Sequence, residues 1–505
     1  MTERESLFRE GGTSAERWEQ LRQHHRRIVW IPCTLMFLGF WQLLAPLTLA
    51  YRKEELWAVP SGGRGPWFFE DATMDVLRAD LTTWSAVGSG ALLVVLGWLA
   101  LRPNRPVVWW GACFVGLWLL SAPIMLWTPS AAAYVNDTLV GTLVVALTIV
   151  LPGIPNEPAF ESKGKATPPG WSYNPSSWPQ RLILIAVACV GLFASRYLAA
   201  YQLGYVDEVW DPFFGFSEGT QRVLDSELSH AFPVSDAGLG AIAYNLEILA
   251  VLGGNAARWR TSPWTVAIFG VLVLPLGLAH VALIMSMPVI VQAWCTLCLV
   301  AGAVALPMVV FAVDEVVAMG QHLRRAREQG DRGGSTWKVF WLGSTSEGST
   351  ADGRTPQMLD LGERPIRVVG ASLWGASARL PLLGAVALSI LLYATPGIYG
   401  LEPGEPQATV AHIGGAVLIV VTAVAVAEVI RPARLLAVVA GPAVAVSVWF
   451  TGAGPAVSVL VLGVGLVAAA LSLPRGPFRE SYGDWSSVAA WPRSLGAPNQ
   501  IMREP

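Results

Sequence analysis

Twelve apolar runs punctuate this chain of 505 residues, at about 28–51, 83–101, 107–127, 134–151, 181–203, 237–252, 264–286, 288–313, 380–395, 410–430, 435–451 and 455–473. Runs of this length read as helices crossing a hydrocarbon core about 30 Å thick. The composition agrees: 53% hydrophobic residues and 14% charged ones are outside the range of an ordinary soluble globule. The predicted fold class is an all-α, polytopic membrane protein with twelve transmembrane helices.

Charge placement is an independent test of that number, because lysine and arginine collect on the cytoplasmic side of a membrane. With an even number of crossings and both termini cytoplasmic, 28 of the 34 basic residues fall inside. Arg52, Lys53, Arg64, Arg78 and Arg222 fall outside, and Arg196 lies within a helix. The long external loops are acidic: Glu54, Glu55, Glu70, Asp71, Asp75 and Asp80 in one, and Asp207, Glu208, Asp211, Glu218, Asp225 and Glu227 in another. The segment 1–27 is hydrophilic and carries Arg22, Arg26 and Arg27, so the first helix is expected to direct insertion without a cleaved signal. The expected location is the cell membrane, crossed many times.

Two Pro- and Gly-rich hydrophilic stretches divide the helices into three blocks of four. The expected order is a cytoplasmic segment 1–27, a first block 28–152, a linker 153–177, a middle block 178–321, a linker 322–379, a third block 380–474 and a cytoplasmic tail 475–505. In the first block LGFWQLLAPL (Leu38–Leu47) recurs as VGLWLLSAPI (Val115–Ile124), aligning Gly39 with Gly116, Trp41 with Trp118 and Pro46 with Pro123. The third block echoes the first through RPNR (Arg102–Arg105) and RPAR (Arg431–Arg434). These outer blocks resemble the SPW-repeat membrane family, whose helix pairs carry Gly-x-Trp and then Ser/Ala-Pro. Close helix approach and kinks account for such glycines and prolines, and a scaffold, docking or oligomerisation role is expected of these blocks.

Five cysteines are present, and only Cys295 and Cys298, in WCTLC, stand close together. Three apart on a helix, they share a face on which two sulfurs close a disulfide and pass two electrons. If the helix opens at Pro288, the pair lies about two turns, roughly 10–15 Å, below the external surface. Cys33, Cys113 and Cys189 read as small packing residues. Cys189 lies near the cytoplasmic half of its helix, at a depth that argues against pairing with Cys295. The alternative for WCTLC is two small residues packing a membrane helix.

The middle block has four helices, a long external loop between its first two, and a dithiol near the external start of its fourth. With TQRVLDSELSHAFPVSDAGLGAIAY (Thr220–Tyr244), this layout resembles the vitamin K epoxide reductase family. Ser226 matches that family's loop serine, Asp236 its polar substrate-facing position, and Gly240 and Tyr244 the start of its second helix. The resemblance implies a four-helix bundle that moves electrons between external thiols and a membrane quinone, ubiquinone or menaquinone, with Cys298 facing the quinone and Cys295 facing an extracytoplasmic thiol protein of thioredoxin type. Two departures stand out. The loop from Gly204 to Asp236 holds no cysteine, Thr220 occupying the second shuttle position, and Gly302 replaces an aromatic hydroxyl four residues after Cys298.

Quinone-binding candidates are Asp236, Arg196, His280 and Ser226. Arg196 and His280 are placed at about the depth of the CxxC, where a polar group suggests interior use; the alternatives are an ordinary bundle contact or snorkelling. Asp236 reads equally as a helix N-cap. No metal site and no nucleic-acid partner are expected. Ion-coupled transport is disfavoured because Glu247 and Glu428 lie near cytoplasmic ends. The rival to the oxidoreductase reading is a non-catalytic membrane scaffold that has lost its shuttle cysteines.

Overall fold

The computed structural model describes residues 22–23, 25–58, 73–103, 105–150, 166–328, 335–345, 366 and 370–490. The expected N-terminal segment before residue 22, loop residues Arg64, Glu70 and Asp71, about half of each linker and the tail beyond 490 lie outside the described residues. Among the described residues there is no strand, only three isolated bridges.

Twelve long helices follow in order. The first block comprises α1 (Trp30–Thr48), α2 (Thr73–Ala100), α3 (Pro106–Met125) and α4 (Ala131–Val145); the middle block α5 (Trp178–Gln202), α6 (Asp236–Leu252), α7 (Pro263–Ser286) and α8 (Thr296–Glu328); the third α9 (Leu380–Tyr399), α10 (Pro406–Val424), α11 (Arg434–Ser447) and α12 (Pro455–Ser472). Eleven of these positions are long and apolar enough to cross a membrane, which makes this a multi-pass membrane protein. The exception is α6. Its 17 residues reach about 25 Å at 1.5 Å per residue, shorter than a 30 Å core, although it runs between the same two ends of the bundle as its neighbours.

Other expectations shift at helix ends. Helix α2 starts at Thr73, ten residues ahead of the apolar run, because charged residues in a first turn escape a hydropathy reading. Asp75, Arg78 and Asp80, expected in the loop, therefore lie on α2, where Arg78 pairs with Asp75 at 3.0 Å and Asp80 with Arg52 at 2.8 Å. Helix α8 runs to Glu328, past the boundary expected at 321.

The repeat in the first block is a reciprocal packing device. A Cβ on Gly39 would stand 2.8 Å from the Gly90 carbonyl oxygen, and one on Gly116 would stand 3.0 Å from that of Gly141. Each helix pair thus crosses with its backbones in contact, which only glycine permits. Two residues after each first glycine, a tryptophan donates to the other pair: Trp41 Nε1 to Asn136 Oδ1 at 2.7 Å, and Trp118 Nε1 to Ser85 Oγ at 2.8 Å. Ser85 and Asn136 each stand five residues before their own pair's glycine. The same glycine crossing recurs in the third block, where a Cβ on Gly441 would lie 2.3 Å from the Gly465 carbonyl oxygen.

One residue in this block escaped the sequence reading. Asp137 is fully buried in α4, where Oδ1 accepts from Gln42 at 2.6 Å, Tyr51 at 2.9 Å and Asn136 at 3.1 Å. An acidic side chain is therefore present inside a membrane helix, contrary to the argument made from Glu247 and Glu428 alone.

The middle bundle packs around Leu184, Ala188, Tyr244, Phe269, Met308 and Ala312. The Tyr244 ring lies on α5 at Gly191, where a Cβ would be 2.5 Å from the ring. At the opposite end from the dithiol, buried polar residues join the blocks. Arg258 and Glu315 pair at 2.6 Å with both side chains almost wholly covered. Ser176 also donates to Glu315, and Tyr173 donates to Asp314. Gln321 accepts from Trp171 at 2.8 Å and donates to the Tyr482 carbonyl at 2.8 Å, while Tyr482 Oη donates to Glu428 at 3.0 Å. Part of the first linker and part of the tail are thus packed structure. A charge taken from water must find partners, and these segments supply them.

Candidate redox site

The dithiol sits at a helix start. Helix α7 ends at Ser286 and gives way to a π-turn over Met287–Val291; Gln292 then takes a left-handed conformation, and α8 begins at Thr296. Pro288 does not open the fourth helix, as the sequence suggested, but belongs to the end of the third. The pair accordingly stands at the first turn of α8 instead of two turns inside it. Two long apolar runs separated by one residue must still contain a reversal, and hydropathy does not mark where it falls.

Cys295 and Cys298 are joined in a disulfide with Cα atoms 5.2 Å apart. The Cys298 amide donates to Cys295 Sγ at 3.0 Å, so the sulfur takes the place of an N-cap acceptor. Amides at a helix N-terminus also stabilise negative charge on a sulfur once the disulfide opens. Cys295 is fully buried and Cys298 is half-buried. Around them lie Leu198, Leu224, Met287, Ile284 and Leu297, an apolar shell drawn from the bundle and from the loop between α5 and α6. The other cysteines, Cys33, Cys113 and Cys189, are free thiols.

The loop between α5 and α6 is strapped onto the pair by Asp211. Its carboxylate accepts from Thr296, the residue between Cys295 and Leu297, at 2.5 Å, and from Thr220 at 2.5 Å. It also accepts from the amides of Phe213 at 3.0 Å and Phe214 at 2.8 Å. Burial works to raise the Asp211 carboxyl, but these hydrogen bonds outweigh it and hold the group below the usual carboxylate range. Beside this anchor the Phe214 ring stacks on Trp294 with centroids 5.8 Å apart. Gly219 passes so close that a Cβ would be 2.4 Å from the Trp294 carbonyl oxygen. Thr220 therefore has a use of its own at the position where a shuttle cysteine was looked for.

One turn inward from Cys298, Tyr244 Oη donates to the Ala301 carbonyl at 2.8 Å and lies 3.2 Å from His280 Nε2. His280 Nδ1 bonds the Leu276 carbonyl at 2.9 Å, which requires a proton on that nitrogen. With the ring neutral, Nε2 and the Ala301 oxygen both face the single Tyr244 proton. Gly302 leaves room that Ile284 fills, since a Cβ there would meet its Cδ1 at 2.1 Å.

The remaining sequence candidates lie elsewhere. Arg196 turns toward the first block, with its guanidinium over the Tyr134 ring at 5.0 Å and bonded to Thr138 at 3.2 Å; it joins two blocks instead of sharing an interior with the dithiol. Asp236 is not the N-cap of α6. Ser235 fills that place, accepting from the Gly238 amide at 2.9 Å, while Asp236 accepts from Gln202 at 2.6 Å and Ser229 at 2.9 Å. Ser226 caps a local turn, donating to the Val223 carbonyl at 2.7 Å. Asp211, Thr296 and Gln202 were not singled out from sequence. For Asp211 a signal existed: aspartate before proline, with amides two and three residues on, is an Asx-turn pattern.

Residues 182–313 match a family model described as the vitamin K epoxide reductase family. No curated protein and no solved structure matches the chain. The match reaches from within α5 to within α8 and includes the loop, the dithiol and the Tyr244–His280 pair. The central part of this multi-pass membrane protein is a vitamin K epoxide reductase family domain.

Proposed function

We propose that the middle bundle is a membrane thiol–quinone oxidoreductase, taking electrons from extracytoplasmic thiols through Cys295 and Cys298. The observation that carries this reading is the closed pair itself, set at a helix start between the external strap and an apolar interior that holds a hydroxyl–imidazole pair. The chemistry of those side chains suits a quinone. Ile284 and Leu297 offer apolar walls, and Tyr244 and His280 offer the polar group that a carbonyl oxygen needs.

An external dithiol protein of thioredoxin type would deliver a thiolate to Cys295 Sγ, breaking the disulfide and leaving Cys298 as the thiolate. The partner's second thiol then attacks its own sulfur in the mixed disulfide, frees Cys295 and departs oxidised, so that two electrons remain on the pair. A bound membrane quinone, ubiquinone or menaquinone, supplies the two-electron, two-proton acceptor. Cys298, half-buried beside the apolar interior, faces that acceptor, and His280 holds or returns a proton through Tyr244. Closure of the pair restores the disulfide. Asp236 and Ser226 serve this cycle by fixing the loop, and Arg196 by holding the bundle against the first block.

Because Cys295 is fully buried beneath the strap, the partner must gain entry by displacing it. That same burial, with Thr220 in place of a loop cysteine, favours a second reading, a scaffold whose disulfide is structural. Thiol trapping in native cell membranes separates the two. A pair that opens with an external dithiol and closes again on quinone addition supports the oxidoreductase; a pair that stays closed throughout supports the scaffold.

A further inference from the structure

The third block reaches the dithiol turn at three points. Tyr393 Oη donates to the Ile284 carbonyl at 3.1 Å. That carbonyl lies four residues before Pro288, which has no N–H to give it, so a side chain from another block fills the bond the proline withholds. The Trp294 ring, adjacent to Cys295, meets Tyr393 edge-on at 5.4 Å and His412 at 5.2 Å. Gln292, the left-handed residue of the turn, lies against Gly404, where a Cβ would stand 2.5 Å from Nε2. His412 is itself fixed, since Nδ1 bonds the Tyr393 carbonyl at 3.1 Å and the residue is 2% exposed.

These contacts bracket the motif. Ile284 precedes the turn, and its side chain occupies the space beside Gly302, one turn beyond Cys298. Trp294 lies between two holders, Phe214 of the loop on one ring face and the Tyr393–His412 pair at its edge. The loop grips the dithiol from outside while the third block grips it from the side.

We infer that the third block is a working part of the redox site, with Tyr393 and His412 as positioning residues that hold the Cys295–Cys298 turn closed through Trp294 and Ile284. The inference deepens the oxidoreductase reading but needs only the disulfide, not quinone turnover, for its test. With the aromatic edge removed, Trp294 loses its backing, the Phe214 stack loosens, and an attacking thiol or phosphine reaches Cys295 more often.

The test uses the full chain in native membranes and a membrane-impermeant phosphine. Opening of the Cys295–Cys298 disulfide is followed by alkylation and mass analysis, and labelling of buried Cys113 reports loss of fold. His412→Ala should open at least fivefold faster than the unmodified chain, and Tyr393→Phe, which loses only the hydroxyl, should change in the same direction by less. His412→Phe, which keeps a ring against Trp294, should return most of the slow rate. Unchanged opening in both His412→Ala and Tyr393→Phe overturns the inference, as does a His412→Phe rate equal to that of His412→Ala. Faster opening accompanied by Cys113 labelling also overturns it, because the effect would then be general unfolding. A shifted opening rate in a chain with no quinone turnover leaves the inference standing and removes the oxidoreductase reading; turnover with an unshifted rate does the reverse.

Discussion

Asp211 and Thr296 meet at 2.5 Å, and this hydrogen bond ties the loop between α5 and α6 to the residue that separates Cys295 from Leu297. A charge-assisted bond of this kind contributes about 1.5–3 kcal/mol, enough to set how often the loop leaves the dithiol. Asp211→Ala should therefore raise the rate of disulfide opening by an external dithiol about tenfold or more. Thr296→Val should act in the same direction, and a rate equal to that of the unmodified chain in both would show that the loop does not guard the pair.

The same carboxylate sets a pH window. Its pKa is depressed in the folded state, so its contribution is fully present above the unfolded value of about 3.9 and is lost as pH falls through the lower folded value. Accessibility of the disulfide to an uncharged alkyl thiol, corrected for thiolate fraction, should stay flat from about pH 8 to pH 5 and rise only below about pH 4. Asp211→Asn should remove that acid limb. A rise centred near pH 6 would assign the control to another group.

If the pair turns over, its two sulfurs have separate roles. With an oxidised partner offered, so that exchange runs in reverse, Cys298→Ser leaves Cys295 to attack the partner's disulfide and removes the thiol that would release it, so a mixed disulfide on Cys295 should accumulate, whereas Cys295→Ser should trap none. Either change should abolish quinone reduction. Full activity in a variant with both serines would rule out the dithiol mechanism.

Orientation is open to direct labelling. On a Cys33→Ala background, a cysteine at Phe216, which is fully exposed in the loop, should react with an impermeant maleimide from outside intact cells. A cysteine at exposed Ser335 should react only after permeabilisation. The opposite pattern would invert the topology and place the dithiol on the cytoplasmic side.

The glycine crossings and the buried ion pair predict graded losses of stability. Gly116→Val forces apart backbones already in contact and should cost about 1–3 kcal/mol, seen as a lower unfolding midpoint in detergent, while Gly88→Ala, with nothing within 4 Å of its Cβ, should be neutral. Arg258→Ala leaves Glu315 charged in the interior without its ion-pair partner, at a cost of about 3–5 kcal/mol. Glu315→Gln should cost less than Arg258→Ala, and the reverse order would show that the pair is not the interaction that matters there.

Much of this architecture is legible in the amino-acid order because a lipid core constrains it so strongly. Run length and hydropathy place the helices, since each must hide its own backbone polar groups, and the Gly39/Gly116 and Trp41/Trp118 alignment exposes the repeat. The motif WCTLC and the stretch Thr220–Tyr244 are enough to single out the dithiol and the family of the middle bundle. Tertiary structure decides what depends on neighbours. Hydropathy has no term for the reversal at Gln292, so only the fold shows that Cys295 starts a helix. Arg196 has a depth in the sequence but no direction, and packing against Tyr134 supplies it. Asp211, eighty-five residues before Thr296, becomes a partner of the dithiol only when the loop folds back. Tyr393 and His412 reach Trp294 from a different block altogether. Contacts between distant segments depend on shape and hydrogen-bond geometry, and no local pattern of residues encodes either.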